Sequence, residues 1–138
     1  MVRWLILASL SLLLGCAGPS ASRGEKLADA SRMLHASLVV RDYRSMATLL
    51  ESKLRTAFLA DAEEVEKKLS ITEIELLSMT MSADGEKAET LSRISYFELP
   101  STVVKTETIR VHWIYLEQEW FIEKMEGGPL PLQPPPGD

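Results

Sequence analysis

The side chains best suited to acid–base or metal chemistry in this sequence are its two histidines, His35 and His112. Histidine titrates near neutral pH and is the commonest metal ligand, so each is a candidate base or ligand. His112 falls in a predicted strand beside Arg110, opposite an aromatic face, and is expected to point outward. His35 follows Leu34 in a predicted helix and is expected at the edge of its apolar stripe. The sequence therefore predicts no catalytic residue.

Metal and cofactor sites are not predicted either. The chain has two histidines far apart and one cysteine, which does not supply the four nitrogen and sulfur ligands of a structural zinc site. It also carries no GxSxG or HExxH pattern and no glycine-rich loop that could cradle a phosphate. We therefore expect no metal and no cofactor.

The single cysteine, Cys16, lies where an apolar run gives way to small polar residues, in the stretch LLLGCAGPSASRG. Arg3 gives the chain a positively charged start. The apolar run over residues 4–14 would span about 16 Å as a helix, roughly half of a bilayer's hydrocarbon core. A charged start, a short apolar run and small residues after it predict a signal peptide over residues 1–15.

The segment LLGC, residues 13–16, resembles the lipobox of bacterial lipoproteins. The resemblance implies that Cys16 receives a diacylglyceryl group, that the chain is cut before it, and that the new amino terminus is acylated. Several acyl chains anchor a protein stably to a membrane, whereas one chain binds only marginally. Residues 16–24 would then form a lipidated cysteine and a flexible tether. The alternatives are a spectator cysteine in an ordinary signal peptide and an uncleaved anchor.

The localisation implied by this resemblance is the bacterial cell envelope. Ala17 stands where enteric lipoproteins retained at the inner membrane carry aspartate, which favours the outer membrane over the inner. The formal charge of −5 argues against a nucleic-acid partner, because binding to phosphates needs an excess of lysine and arginine.

The first half of the remaining chain has helical periodicity. Apolar residues recur at spacings of three and four over residues 25–40 and again over residues 42–58, which predicts two helices. Asp42 is expected to cap the second of them, with a break near Ser52 as an alternative. A further short helix is predicted to begin at Asp61 and to end near residue 69.

The second half has the composition of strands. Residues 71–82 and 87–99 flank an Asp84-Gly85 turn and predict a hairpin, and two more strands follow, over residues 103–117 and 120–125. We therefore expect an α+β domain over residues 25–126, with N-terminal helices packed on a curled, antiparallel, four-stranded sheet. Residues 127–138 are proline-rich and are predicted to be a disordered tail.

Two stretches carry a second resemblance, RDYRSMATLLESKLRTAF over residues 41–58 and HWIYLEQEWFIEKM over residues 112–125. With their order of helices and strands, and with Trp120 just after the last turn, they resemble the cystatin-like cone fold. This is the fold of the nuclear transport factor two and polyketide-cyclase (SnoaL-like) superfamily. The resemblance implies a pocket between helices and sheet, which some members use for isomerisation, dehydration or cyclisation and others for binding or dimerisation.

Four aromatic residues are candidates to line such a pocket, although aromatic residues in such positions more often fill the core: Tyr43, Trp113, Tyr115 and Phe121. Because no acid–base pair accompanies them, the preferred function is a membrane-anchored, non-enzymatic binding or interaction module. Its partner would be a protein or a small apolar ligand, with a homodimer as one arrangement. The alternatives are a pocket enzyme of the polyketide-cyclase or isomerase type, and a scaffold lipoprotein of an outer-membrane assembly.

Overall fold

The computed structural model describes residues 22–134, which form three helices followed by four strands. The predicted signal peptide, Cys16, and the tether as far as residue 21 lie outside the described residues, as do residues 135–138. Within the described part, no helix is long and apolar enough to cross a membrane. The elements are α1 (Arg23–Val39), α2 (Tyr43–Thr48), α3 (Ser52–Lys68), β1 (Leu69–Met81), β2 (Lys87–Glu98), β3 (Lys105–Leu116) and β4 (Glu119–Glu126).

Helix α1 begins two residues before the predicted start of the domain. The Ser22 hydroxyl accepts a hydrogen bond from the Glu25 amide, and the Glu25 carboxylate accepts one from the Ser22 amide. This capping box satisfies two amide groups that would otherwise lack partners. The helix therefore extends to Arg23, which corrects the prediction that the tether continues to residue 24.

The second predicted helix is divided into α2 and α3. Asp42 caps α2 as predicted, accepting from the Ser45 amide at 3.0 Å. The chain then leaves the helix to pair with β4, where the Glu51 amide donates to the Ile122 carbonyl (2.9 Å) and the Ile122 amide donates to the Leu49 carbonyl (2.7 Å). The helix break lies here, and the prediction of a new helix at Asp61 is wrong because that residue lies inside α3.

The four strands form one antiparallel sheet in the order β1-β2-β3-β4, which confirms the predicted α+β fold. Gly85 occupies the predicted β1–β2 turn with a φ of +70°, which only glycine adopts without strain. Alternate residues of β2 and β3 are buried against the helices, and the intervening residues face outward. The helices therefore cover one face of the sheet, which we call the inner face.

The prediction of a disordered tail from residue 127 is wrong as far as residue 134. The Met125 amide donates to the Leu132 carbonyl (2.8 Å), and the Leu132 amide donates to the Met125 carbonyl (3.0 Å). Leu130 is buried in the core, and the segment lies beside Leu54 and Phe58 of α3. The proline-rich composition did not indicate this arrangement, because the apolar partners of the segment come from a distant helix.

Candidate functional site

The inner face of the sheet is the candidate site, because the predicted pocket would lie between it and the helices. Trp113 stands near its centre and is completely buried, with Ala88 of β2 on one side and Ile122 of β4 on the other. Its indole Nε1 donates to the Thr90 hydroxyl at 3.0 Å. The indole ring and its neighbours thus occupy the space in which a substrate would have to bind.

The buried polar side chains of this core are four hydroxyls, Ser31, Ser37, Thr90 and Ser92. A hydroxyl becomes a nucleophile only when a neighbouring base accepts its proton. Among residues 22–134, the one such neighbour is His35, whose Nε2 lies 3.1 Å from the Ser92 Oγ. Sequence reasoning placed His35 at the edge of the helix stripe but did not indicate its contact with Ser92.

The pair formed by His35 and Ser92 lacks two features of a catalytic pair. Only 1% of Ser92 is exposed, so that a substrate has no access to its hydroxyl. Among residues 22–134, no carboxylate is hydrogen-bonded to the His35 ring, and a carboxylate in that position would fix the tautomer of a general base. The contact is therefore best explained as a structural hydrogen bond that satisfies two polar groups within the core.

Burial lowers the pKa of His35 below its ordinary value of 6.5. The folded state therefore binds this proton less readily than the unfolded state, and stability increases with pH in the window between the two pKa values. We expect the free energy of unfolding to fall as the pH is lowered through 6.5, and His35→Gln to reduce that dependence. Urea denaturation at a series of pH values measures it, and His112→Gln, which leaves His35 in place, serves as the control. An unchanged slope in His35→Gln would contradict the assignment.

His112 points away from the inner face, as predicted from the sequence. Its Nε2 lies 2.7 Å from a Glu126 carboxylate oxygen, and Lys124 contacts the same carboxylate at 2.7 Å. A hydrogen bond from Lys124, which has the larger effect, and one from His112 lower the pKa of Glu126 to about 2. The cluster of His112, Lys124 and Glu126 lies on the outward side of β3 and β4, and it lines no enclosed site in the described residues. It therefore resembles a surface ion-pair network.

The four predicted pocket residues are not brought together. Trp113 lies in the core, and Tyr43 packs edge-on against Phe58 with a ring-centroid distance of 6.2 Å. Burial raises the pKa of Tyr43 to about 12, and its hydroxyl is buried without a hydrogen-bond partner. Tyr115 and Phe121 lie elsewhere, each half-buried beneath an arginine.

Tyr115 belongs to a set of contacts that holds the start of α1 against the β1–β2 turn and the β3–β4 turn. The Arg23 guanidinium lies 4.2 Å from the Tyr115 ring centroid and donates to the Gly85 carbonyl at 2.9 Å. Lys26 donates to the Gln118 carbonyl (2.8 Å), and the indole of Trp120 donates to the Arg23 carbonyl (2.9 Å). The point at which the chain enters the domain is therefore fixed, which the sequence alone did not indicate.

Cavities at the surface of the described domain lie outside the centre of the cone, and two of them border α3. One, of about 380 Å³, separates α3 from the C-terminal segment and is lined mainly by apolar residues, among them Phe58, Val65 and Leu132. The other, of about 730 Å³, lies between the α1–α2 turn and α3, where Arg41 and Arg44 face Glu63 and Glu66. In the part of the chain that the structure describes, no three potential metal ligands converge.

No protein-family model and no curated protein sequence matches this chain. Solved structures of similar fold include a domain from Exiguobacterium sibiricum described as a Ca²⁺/calmodulin-dependent kinase II association domain (TM-score 0.62, 12% identity, 87% of this chain and 98% of that chain). An NTF2-like protein from Cytophaga hutchinsonii has a TM-score of 0.59 at 12% identity, over 74% of this chain and 93% of its own.

A protein from Pseudomonas putida described as a polyketide cyclase has a TM-score of 0.58 at 10% identity, covering 79% of this chain and 93% of that chain. At such identities the similarity shows the fold alone. The chain therefore has the α+β cone fold found in NTF2-like and polyketide-cyclase-like proteins, as the resemblance of residues 41–58 and 112–125 implied.

Proposed function

We propose that this protein is a lipid-anchored, non-catalytic binding module of the bacterial cell envelope. The observation that carries the non-catalytic part is the filled interior of the cone, where Trp113 is completely buried and hydrogen-bonded to Thr90. A pocket enzyme of this fold needs an open cavity with an acid–base group inside it. In the described residues the fully buried polar side chains are hydroxyls, His35 contacts one of them (Ser92, 1% exposed) where a substrate has no access, and His112 lies on the other face of the sheet.

The anchored part of the proposal is supported by the sequence around Cys16 and by the position of Ser22. Six residue steps separate them, and an extended chain of that length spans at most about 22 Å. Contacts from Arg23 and Lys26 hold the start of α1 beside the β1–β2 and β3–β4 turns. An anchor at Cys16 would therefore keep this end of the domain near the membrane and present the C-terminal segment away from it.

Metabolic labelling with a palmitate analogue tests the anchor. We expect the native chain to incorporate label and to fractionate with membranes, and Cys16→Ser to lose essentially all of the label, because a hydroxyl does not replace the thiolate in thioether formation. Ala17→Ser changes the adjacent residue and should retain the label. An unlabelled native chain, or equal labelling of Cys16→Ser, would show that the anchor is absent.

A further inference from the structure

The two edges of the sheet differ in how they are covered. The outer edge of β4 bonds to the chain at Leu50 and Leu132, through the bridges at Ile122 and Met125. The outer edge of β1 has no such partner strand within residues 22–134. An uncovered edge presents backbone amide and carbonyl groups to any strand that can align with it.

Strand β1 has few of the features that normally prevent edge pairing. It is 13 residues long, contains no proline and no lysine, and carries charge only at Glu73 and Glu75. Between residues 72 and 80, eight of nine residues are exposed. Three of these are large apolar side chains, Leu76, Leu77 and Met79, with 40%, 40% and 41% of their surface exposed. Besides these two glutamates, the two bulges are the only features of β1 that oppose edge pairing.

We propose that β1 pairs antiparallel with β1 of a second copy of this chain, about a twofold axis beside Leu76 and Leu77. This register places Glu75 opposite Ser78 and Ile74 opposite Met79 of the other copy. The bulge between Leu76 and Ser78 shifts the alternation, so Glu75 and Ser78 both face outward while Ile74 and Met79 both face inward. Polar side chains therefore meet polar ones on the outward face of the paired strands, and apolar side chains meet apolar ones on the inward face.

The charges on β1 also favour a second copy of this chain as the partner. In the antiparallel register, Glu73 lies opposite Thr80 and Glu75 lies opposite Ser78, so every carboxylate of β1 faces a neutral hydroxyl residue. Parallel pairing in register would place each glutamate beside its own copy, and like charges in adjacent strands are destabilising. A slip by one residue would move apolar side chains to the charged face. Strand β1 is therefore complementary to β1 of a second copy in the antiparallel orientation.

Cysteine cross-linking tests this register in cells that express the full chain. In Glu75→Cys/Ser78→Cys the bulge leaves the two cysteines of one chain about 7 Å apart, at the upper limit for an internal disulfide, whereas each directly faces its counterpart across the dimer at about 5 Å. A non-reducing gel separates an internally bridged monomer from the linked dimer by mass. We expect mild oxidation to give at least tenfold more disulfide-linked dimer than in Glu75→Cys/Met79→Cys, whose cysteines face opposite sides. Oxidation of the native chain, in which Cys16 is the single cysteine, measures any disulfide-linked dimer that forms through that residue.

A charge substitution at the axis provides an independent test. Added to the cross-linking pair, Leu77→Lys should reduce the dimer at least tenfold, because two ammonium groups would meet at the axis. Leu116→Lys changes a leucine with the same 40% exposure at the end of β3 and should leave the dimer unchanged. Absence of the dimer, equal cross-linking of both cysteine pairs, or cross-linking only to another protein would overturn the proposal. None of these outcomes affects lipid labelling, so the failures of the two proposals are distinguishable.

Discussion

Replacing Trp113 by alanine is expected to lower the free energy of unfolding by about 3–5 kcal/mol, the usual cost of removing a fully buried aromatic side chain. The indole is completely buried, and its removal also leaves the Thr90 hydroxyl without its donor at 3.0 Å. Urea denaturation followed by far-ultraviolet circular dichroism measures the loss. Leu116→Ala, an exposed position on the same strand, should change the free energy by no more than about 0.5 kcal/mol.

The same variant tests whether the cone is filled, which is the basis for proposing a non-catalytic protein. Trp113→Ala should leave an apolar cavity on the order of 150 Å³, a size that binds benzene in other engineered cores. We expect benzene to raise the melting temperature of Trp113→Ala and to leave that of the native protein unchanged. If both proteins bind benzene equally, or if the substitution costs less than about 1 kcal/mol, the interior is open and the enzyme alternative regains support.

The elements that the sequence predicted correctly depend on local signals. The Asp84-Gly85 turn marks the β1–β2 hairpin, the alternation in β3 marks its buried face, and Asp42 caps α2 through an amide three residues away. The break between α2 and α3 depends instead on hydrogen bonds to Ile122, far along the chain. The apolar spacing continues across this point through Leu50 and Leu54, so the sequence indicated a break near Ser52 only as an alternative.

The candidate site was less predictable than the fold, because its properties depend on which side chains meet. The aromatic face of β3 was visible in the sequence, but whether Trp113 lines a pocket or fills it depends on Ala88, Thr90 and Ile122 from neighbouring strands. The contact of His35 with Ser92 likewise joins two elements whose relative position the sequence does not specify. The outward direction of His112 followed from alternation alone and was predicted correctly.

The C-terminal segment provides the second large expected effect. The proline-rich composition predicts a disordered tail from Gly127, yet Gly127 and Gly128 have left-handed φ angles, +77° and +69°, where the chain turns back toward the core. A Cβ added at Gly127 would lie 2.4 Å from the Thr108 carbonyl oxygen, closer than any real contact of that kind. This backbone oxygen belongs to β3 and is held in the sheet, so the clash is relieved only if the segment itself moves.

Gly127→Ala is therefore expected to lower the free energy of unfolding by about 2–4 kcal/mol, because the left-handed conformation costs a residue with a Cβ about 1–2 kcal/mol and the clash adds a similar amount. Gly24→Ala is the matched control, since its added Cβ would meet only ordinary contacts at 3.9 Å or more inside α1, where alanine is favoured over glycine. Limited proteolysis should cut Gly127→Ala after residue 126 much faster than the native chain, because Leu130 and Leu132 would no longer be held against α3. Equal stability and equal cleavage in the two glycine variants would mean that the segment does not pack on the domain.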